Sequence, residues 1–252
     1  MLRFLIILFI TPSAALCQDM KFQIDSIDGR TVFMAWDDQF PVSVRPALLA
    51  LHGSGRSAES YIPGHEKSVP FYEKQRDLAV KAGYLFVVLS NGKDTWGTDE
   101  GLKATVKCME FVKGKFPVRE KWCIWASSAG GVMLGRLLKE YPSLVDRAIG
   151  TFPVYDLEHS MRHLPSARSA WGDRDYRKAN PALYPEAFMR IPYLIFHGSD
   201  DEAVPVDLHS ARIAKTANEA GGNVLLNIVT GGHSTGNFAL YDDDLILNFL
   251  QR

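Results

Sequence analysis

The sequence predicts an α/β fold in one domain: a mostly parallel central sheet flanked by helices on both faces, opened by an antiparallel N-terminal hairpin. Three observations predict it. From residue 47 onward, short apolar runs with little internal alternation take turns with amphipathic stretches, the pattern of doubly buried strands joined by helices. Ahead of them, Asp28-Gly29 stands between two extended segments, a strong hairpin signal. No internal repeat, low-complexity tract or Gly/Ser/Pro linker divides the 252 residues, so residues 18–252 read as a single domain.

Taken in order, Met1-Leu2-Arg3 carries one positive charge, Phe4 to Ile10 is an unbroken apolar run, and Thr11 to Cys17 is mostly small and weakly polar. That order marks residues 1–17 as a secretory signal peptide, cut after Ala15 or after Cys17, and the mature chain as secreted or periplasmic. Leu16 is bulky where a lipoprotein signal wants a small residue, so simple export is the expectation. The apolar run is far shorter than the roughly 20 residues of a spanning helix, and no stable membrane anchor is expected. Lys21 to Asp25 and Thr31 to Trp36 form the hairpin. Ala47 to Leu51, Tyr84 to Leu89, Trp122 to Ala126, Ala148 to Val154, Tyr193 to Phe196 and Val224 to Val229 follow as strands buried on both faces. Leu102, Val106, Met109 and Val112 recur at helical spacing, as do Val132, Leu134, Leu137, Leu138 and Tyr141, and segments 206–219 and 239–250 behave similarly. Residues 155–190 break the rhythm and read as an irregular insertion, expected to form part of a lid or substrate wall.

Composition narrows the function classes. With 28 basic and 29 acidic residues, no overall field draws the chain to nucleic acid or to an anionic membrane. Once the signal is removed, Cys108 and Cys123 remain, and both fall in apolar segments where buried free thiols are expected. No cysteine or histidine pair has zinc-ligand spacing, so neither a metal site nor a cofactor is expected.

The chemistry sits at strand ends. Ala126-Ser127-Ser128-Ala129-Gly130 lies between a buried strand and an apolar helix. A strand turning sharply into a helix needs Gly or Ala two positions to either side of its central residue. Ser128 meets that need, whereas a central Ser127 would put Trp125 in the tight place. Ser128 would then stand exposed at the helix N-terminus as a nucleophile, where backbone N–H groups can stabilise an oxyanion. His52-Gly53-Ser54-Gly55 follows one strand, Asp200-Asp201-Glu202 another, and His233 lies in a glycine-rich loop after the last. A carboxylate can orient an imidazole, and imidazole has the pKa of a general base for serine. From the residues alone, Asp200, Asp201, Glu202 and Asp207 remain alternatives for the acid.

In this order the motifs resemble the α/β-hydrolase superfamily over essentially the whole mature chain, with the triad in Ser, Asp, His sequence. Leu51-His-Gly-Ser-Gly-Arg-Ser-Ala-Glu-Ser-Tyr61 is similar to the entry loop of secreted feruloyl esterases and polyhydroxybutyrate depolymerases. Ile191 to Pro205 is similar to prolyl oligopeptidase-like and dienelactone hydrolase-like members, in which the acid precedes Val-Pro by three. The resemblance therefore implies Ser128, Asp201 and His233 as the catalytic triad. It also implies the N–H groups of Ser54 and Ala129 as the oxyanion hole, and structural roles for His52 and His197. It implies a serine esterase that hydrolyses a small-molecule or oligomeric carboxylic ester through an acyl-enzyme, with no cofactor. The alternatives are a small-oligopeptide hydrolase, for which these residues hold no propeller sequence, and a non-catalytic binding member of the fold. Trp96, Trp171 and Tyr61 fall in loops expected near the sheet's C-terminal rim, where they are candidates for lining a substrate pocket.

Overall fold

The computed structural model describes residues 20–39 and 43–252, so the signal segment 1–17 lies outside the described residues. Along the chain run β1 (Met20–Ile27), β2 (Arg30–Asp37), β3 (Ala47–Leu51), α1 (Pro70–Lys81), β4 (Leu85–Leu89), α2 (Asp99–Lys113), β5 (Trp122–Ser127), α3 (Gly130–Glu140) and β6 (Val145–Thr151). Then come α4 (Leu157–His163), α5 (Pro165–Trp171), β7 (Pro192–Gly198), α6 (Ser210–Glu219), β8 (Asn223–Val229) and α7 (Asp243–Gln251). The strands form one sheet in the order β1-β2-β4-β3-β5-β6-β7-β8. β1 pairs antiparallel with β2 and β2 with β4, and every later pairing is parallel. Asp28 (φ 50°) and Gly29 (φ 74°) both adopt the left-handed backbone that a two-residue hairpin turn requires.

Alternation within each strand feeds two cores. Leu49 and Leu51 of β3 and Ile124 of β5 point to the face covered by α2, α3 and α6 through Leu102, Met109, Leu134, Leu137 and Ile213. Leu48, Val88 and Trp125 point to the opposite face, under α1 and α7 through Phe71, Leu78, Ile246 and Phe249. Cys108 and Cys123 are buried free thiols, one on each side. The chain runs from β3 out to β4 and returns to β5, so connections diverge where β3 and β5 lie side by side. The crevice beyond the carboxyl ends of two such strands is where open α/β sheets bind ligands.

Four features depart from the expectations. Helix α1 carries no clean apolar stripe, because it buries Gln75 and Arg76 among its apolar residues. The buried guanidinium of Arg76 is satisfied by the Tyr61 carbonyl and by Asp77. Strand β6 stops at Thr151 and does not continue to Val154. Phe152 turns the chain out of the sheet with φ 42°, and the Val154 N–H donates to the Ser128 carbonyl at 2.8 Å. Strand β8 is the sheet edge, so Leu225 and Ile228 are exposed instead of buried on both faces. Residues 155–190 are ordered as α4, α5 and three short 3₁₀ turns, and they pack Leu157, Ala167, Ala170 and Trp171 against Ala129 and Val132 beside α3. Among the described residues, no helix is long and apolar enough to cross a membrane.

Candidate active site

The turn from β5 into α3 is built by close packing. A Cβ on Gly130 would stand 2.3 Å from the Leu51 carbonyl oxygen, and one on Gly131 would stand 2.6 Å from that of Val154. Only glycine lets α3 start this near to β3. At the bend, Ser128 has φ 49°, a left-handed conformation that costs a non-glycine residue on the order of 1–3 kcal/mol and is typically kept where it serves a site. The bend points Ser128 Oγ away from the sheet and toward His233, with Oγ 2.9 Å from Nε2. Ser127 is fully buried, and its hydroxyl is held by Gln75 Nε2 at 3.0 Å and Thr151 Oγ1 at 2.7 Å.

Three loops complete the site. After β7, Asp201 is buried, and its Oδ2 accepts from His233 Nδ1 at 2.6 Å while its Oδ1 accepts from the Val204 N–H at 2.7 Å. His197 adds a third contact, Nε2 to Oδ2 at 3.2 Å. Its tautomer is fixed, because Nε2–H donates to the Val204 carbonyl at 2.8 Å and Nδ1 faces the Ser210 hydroxyl at 2.7 Å. Burial pushes the Asp201 carboxyl up, but the close contact of His197 Nε2 and the hydrogen bonds from His233 and Val204 outweigh it and hold the group well below the usual carboxylate range. Asp200 is exposed, and its carboxylate takes the Ser199 hydroxyl instead. After β8, Gly231 takes φ 126° under Asn237, whose amide donates to the Gly232 carbonyl at 2.8 Å. That clamp sets the His233 loop against the end of β7, where a Cβ on Gly198 would stand 2.2 Å from the Gly231 oxygen.

After β3, His52 anchors its loop from within. Nε2 accepts the Asn91 N–H at 3.0 Å, so Nδ1 carries the proton and donates to the Gly53 carbonyl at 2.9 Å. Burial pulls this imidazole down to about 4. A neutral ring therefore holds the loop at neutral pH. Among the described residues, neither the Ser54 nor the Ala129 N–H donates to another group of the chain, which leaves both free for an oxyanion beside Ser128. Gly53 N–H is occupied by the Tyr72 hydroxyl at 3.4 Å.

The cavity at Ser128 measures about 250 Å³ and is lined from these loops and α1. Gly53, Ser54, Arg56 and Tyr72 contribute to its lining, as do Phe152, His233, Ser234 and Thr235. Trp96, Trp171 and Tyr61 do not line it. They are 1%, 2% and 0% exposed because each ring packs inward. Trp171 Nε1 donates to the Trp96 carbonyl, Trp96 Nε1 reaches Ser54 Oγ at 3.3 Å, and Tyr61 lies against Tyr72 and Phe86. The assignment of these three as substrate contacts is thereby corrected: they brace the loops that line the cavity. No residue of 155–190 lines it either; the lining residue nearest to that segment is Phe152, just upstream. Phe152 meets the His233 ring edge-on at 4.9 Å, a contact hidden in the sequence because Phe152 belongs to a run that reads as strand. Among the described residues, no three His, Cys, Asp or Glu side chains could hold a metal ion together.

Comparison with known proteins places the chain in a family. The model of the prolyl oligopeptidase family matches residues 89–252, more than half of the chain. No curated protein matches it. Among solved structures, the chain is similar to a Pyrococcus horikoshii acylaminoacyl peptidase, at 17% identity and a TM-score of 0.73, covering 93% of this chain and 42% of that one. It is also similar to a ferulic acid esterase, at 16% identity and TM-score 0.68, covering 93% and 98%. A Pyrococcus furiosus esterase gives 17%, 0.67, 92% and 91%. At these identities the likeness is one of fold, and the chain spans less than half the length of the acylaminoacyl peptidase.

Proposed function

The chain belongs to the prolyl oligopeptidase family, and from that premise we propose that it is a serine hydrolase acting on carboxylic esters through Ser128, His233 and Asp201. One observation carries the reading: an unbroken relay from Ser128 Oγ to His233 Nε2 at 2.9 Å, and from His233 Nδ1 to Asp201 Oδ2 at 2.6 Å, opening into a cavity. In this reading Ser128 Oγ attacks the ester carbonyl and passes its proton to His233 Nε2, while the N–H groups of Ser54 and Ala129 hold the oxyanion. His233 returns the proton to the departing alcohol, then activates the water that releases the acid. Asp201, kept ionised by its donors, holds the imidazole in the tautomer that can accept from serine.

A second reading, peptide hydrolysis, is favoured by the family match itself. The cavity supports the ester reading. None of its lining residues carries a carboxylate to take up the ammonium of a free peptide N-terminus, and about 250 Å³ suits a short acyl group. Turnover of para-nitrophenyl esters of graded chain length against peptide anilides tests the choice. Efficient hydrolysis of the short esters with weak anilide cleavage is expected, and the opposite result would make the chain a peptidase. The segment Met1 to Cys17 serves, in the same proposal, as an export signal. N-terminal sequencing of the exported protein should then begin at Leu16 or Gln18; an intact Met1 on exported protein counts against it.

A further inference from the structure

The ester reading leaves one cation at the reaction centre without a task. Arg56 lines the cavity together with Ser54, Tyr72, Ser128 and His233. Its place is set by a tight turn: the Arg56 N–H donates to the Gly53 carbonyl at 3.2 Å, and Gly55 supplies the left-handed residue at φ 71°. The turn therefore fixes Arg56 to the same loop that offers the Ser54 N–H. Several other arginines are held by acids, among them Arg30 by Asp94, Arg136 by Asp99, Arg147 by Asp146 and Arg174 by Glu100, whereas Arg168 holds backbone carbonyls. Among the described residues, the Arg56 guanidinium pairs with no carboxylate. Glu59, three positions on, instead takes the hydroxyls of Thr31 and Ser90. Arg56 is solvent-exposed, and its charge acts on Tyr72 of the cavity lining. Burial pushes the Tyr72 phenol up to about 12, against the Gly53 N–H bond and the Arg56 charge, which both pull it down.

The rest of the lining suits the same ligand. Ser234 and Thr235 line the same cavity and can donate hydroxyl hydrogen bonds, and none of the lining residues is acidic. We infer that Arg56 is a specificity residue that recognises an anionic group on the substrate, so that the preferred ester carries a free carboxylate within reach of its reacting carbonyl. The inference rests on the hydrolase reading and narrows its substrate class. A guanidinium forks two parallel hydrogen bonds to a carboxylate, an arrangement that neither a neutral ester nor a lysine reproduces.

Matched ester pairs that differ only in that charge test it. One pair places the charge on the acyl side, para-nitrophenyl hydrogen adipate against para-nitrophenyl methyl adipate. The other places it on the leaving group, para-acetoxybenzoate against its methyl ester. In at least one pair, kcat/KM for the anionic member is expected to exceed that for the neutral member by about tenfold, the factor of a single charge-assisted hydrogen bond of about 1.4 kcal/mol. Arg56→Gln should bring the ratio near one, and Arg56→Lys should restore part of it. The ratio should also shrink with salt, as the screening length falls from about 30 Å at 0.01 M to about 3 Å at 1 M. Ratios near one for the unsubstituted protein in both pairs, or a ratio that Arg56→Gln leaves intact, overturn the inference. Fluorophosphonate labelling of the same samples separates the two failures. Protein that is labelled but indifferent to charge loses only the anion preference; protein neither labelled nor active loses the hydrolase reading and this inference with it.

Discussion

Ser128→Ala is expected to abolish covalent labelling by a fluorophosphonate and to lower kcat for a short ester by roughly 10⁴-fold or more, while Ser127→Ala keeps both. The two hydroxyls are neighbours in sequence with opposite surroundings. Ser127 ends β5 with its hydroxyl sealed between Gln75 and Thr151, so removing it takes away buried hydrogen bonds and costs about 1–3 kcal/mol of stability. Ser128 lies one residue later in the strained bend, with Oγ on His233 Nε2 and in the cavity, so removing it takes away the atom proposed to attack. Melting temperature and labelling, measured on both variants, therefore move in opposite patterns. Labelling that survives Ser128→Ala and disappears in Ser127→Ala would reverse the assignment of the nucleophile.

That distinction is legible in the sequence because it is steric: a central Ser127 would need Trp125 to fit where the chain has room only for alanine or glycine. The parallel sheet is legible for a similar reason, since Ala47–Leu51 and Leu85–Leu89 are apolar at every position and only strands covered on both faces bury such runs. What escaped the pattern depends on tertiary closure. Helix α1 hides its period because Arg76 spends its charge on the Tyr61 carbonyl and Asp77 inside the fold. Phe152 reads as strand until the left-handed turn after Thr151 brings its ring to His233. Trp96 and Trp171 sit in loops near the site, but ring burial against Ala129 and Val132 decides their orientation, and loop position alone carries no information about it. The cavity is an assembly of loops distant in sequence, so Arg56 becomes visible as a cavity residue only when 53–56 and 233–235 close together.

Asp201→Asn is expected to lower kcat by about 10⁴-fold, with Asp200→Asn close to the unsubstituted chain. The geometry fixes how the amide would sit. Asp201 Oδ1 accepts from the Val204 N–H at 2.7 Å, and a backbone donor in a buried site needs an acceptor there, so the asparagine oxygen takes that position. Its NH₂ then falls where Oδ2 meets His233 Nδ1 and lies beside His197 Nε2. His197 cannot relieve this by turning its own donor away, because Nε2–H is committed to the Val204 carbonyl. The new amide N–H donates to His233 Nδ1, which drives the imidazole proton to Nε2, and an Nε2 already bearing a proton cannot take one from Ser128. Fold and cavity persist while the base is lost. The expected signature is thus a collapse in kcat with slow residual labelling of Ser128 and a measurable cooperative melt. Asp200 offers no such route, since its carboxylate is exposed and turned to Ser199. A kcat collapse in Asp200→Asn, with Asp201→Asn unaffected, would move the acid to the adjacent residue and break the relay from which the hydrolase reading was built.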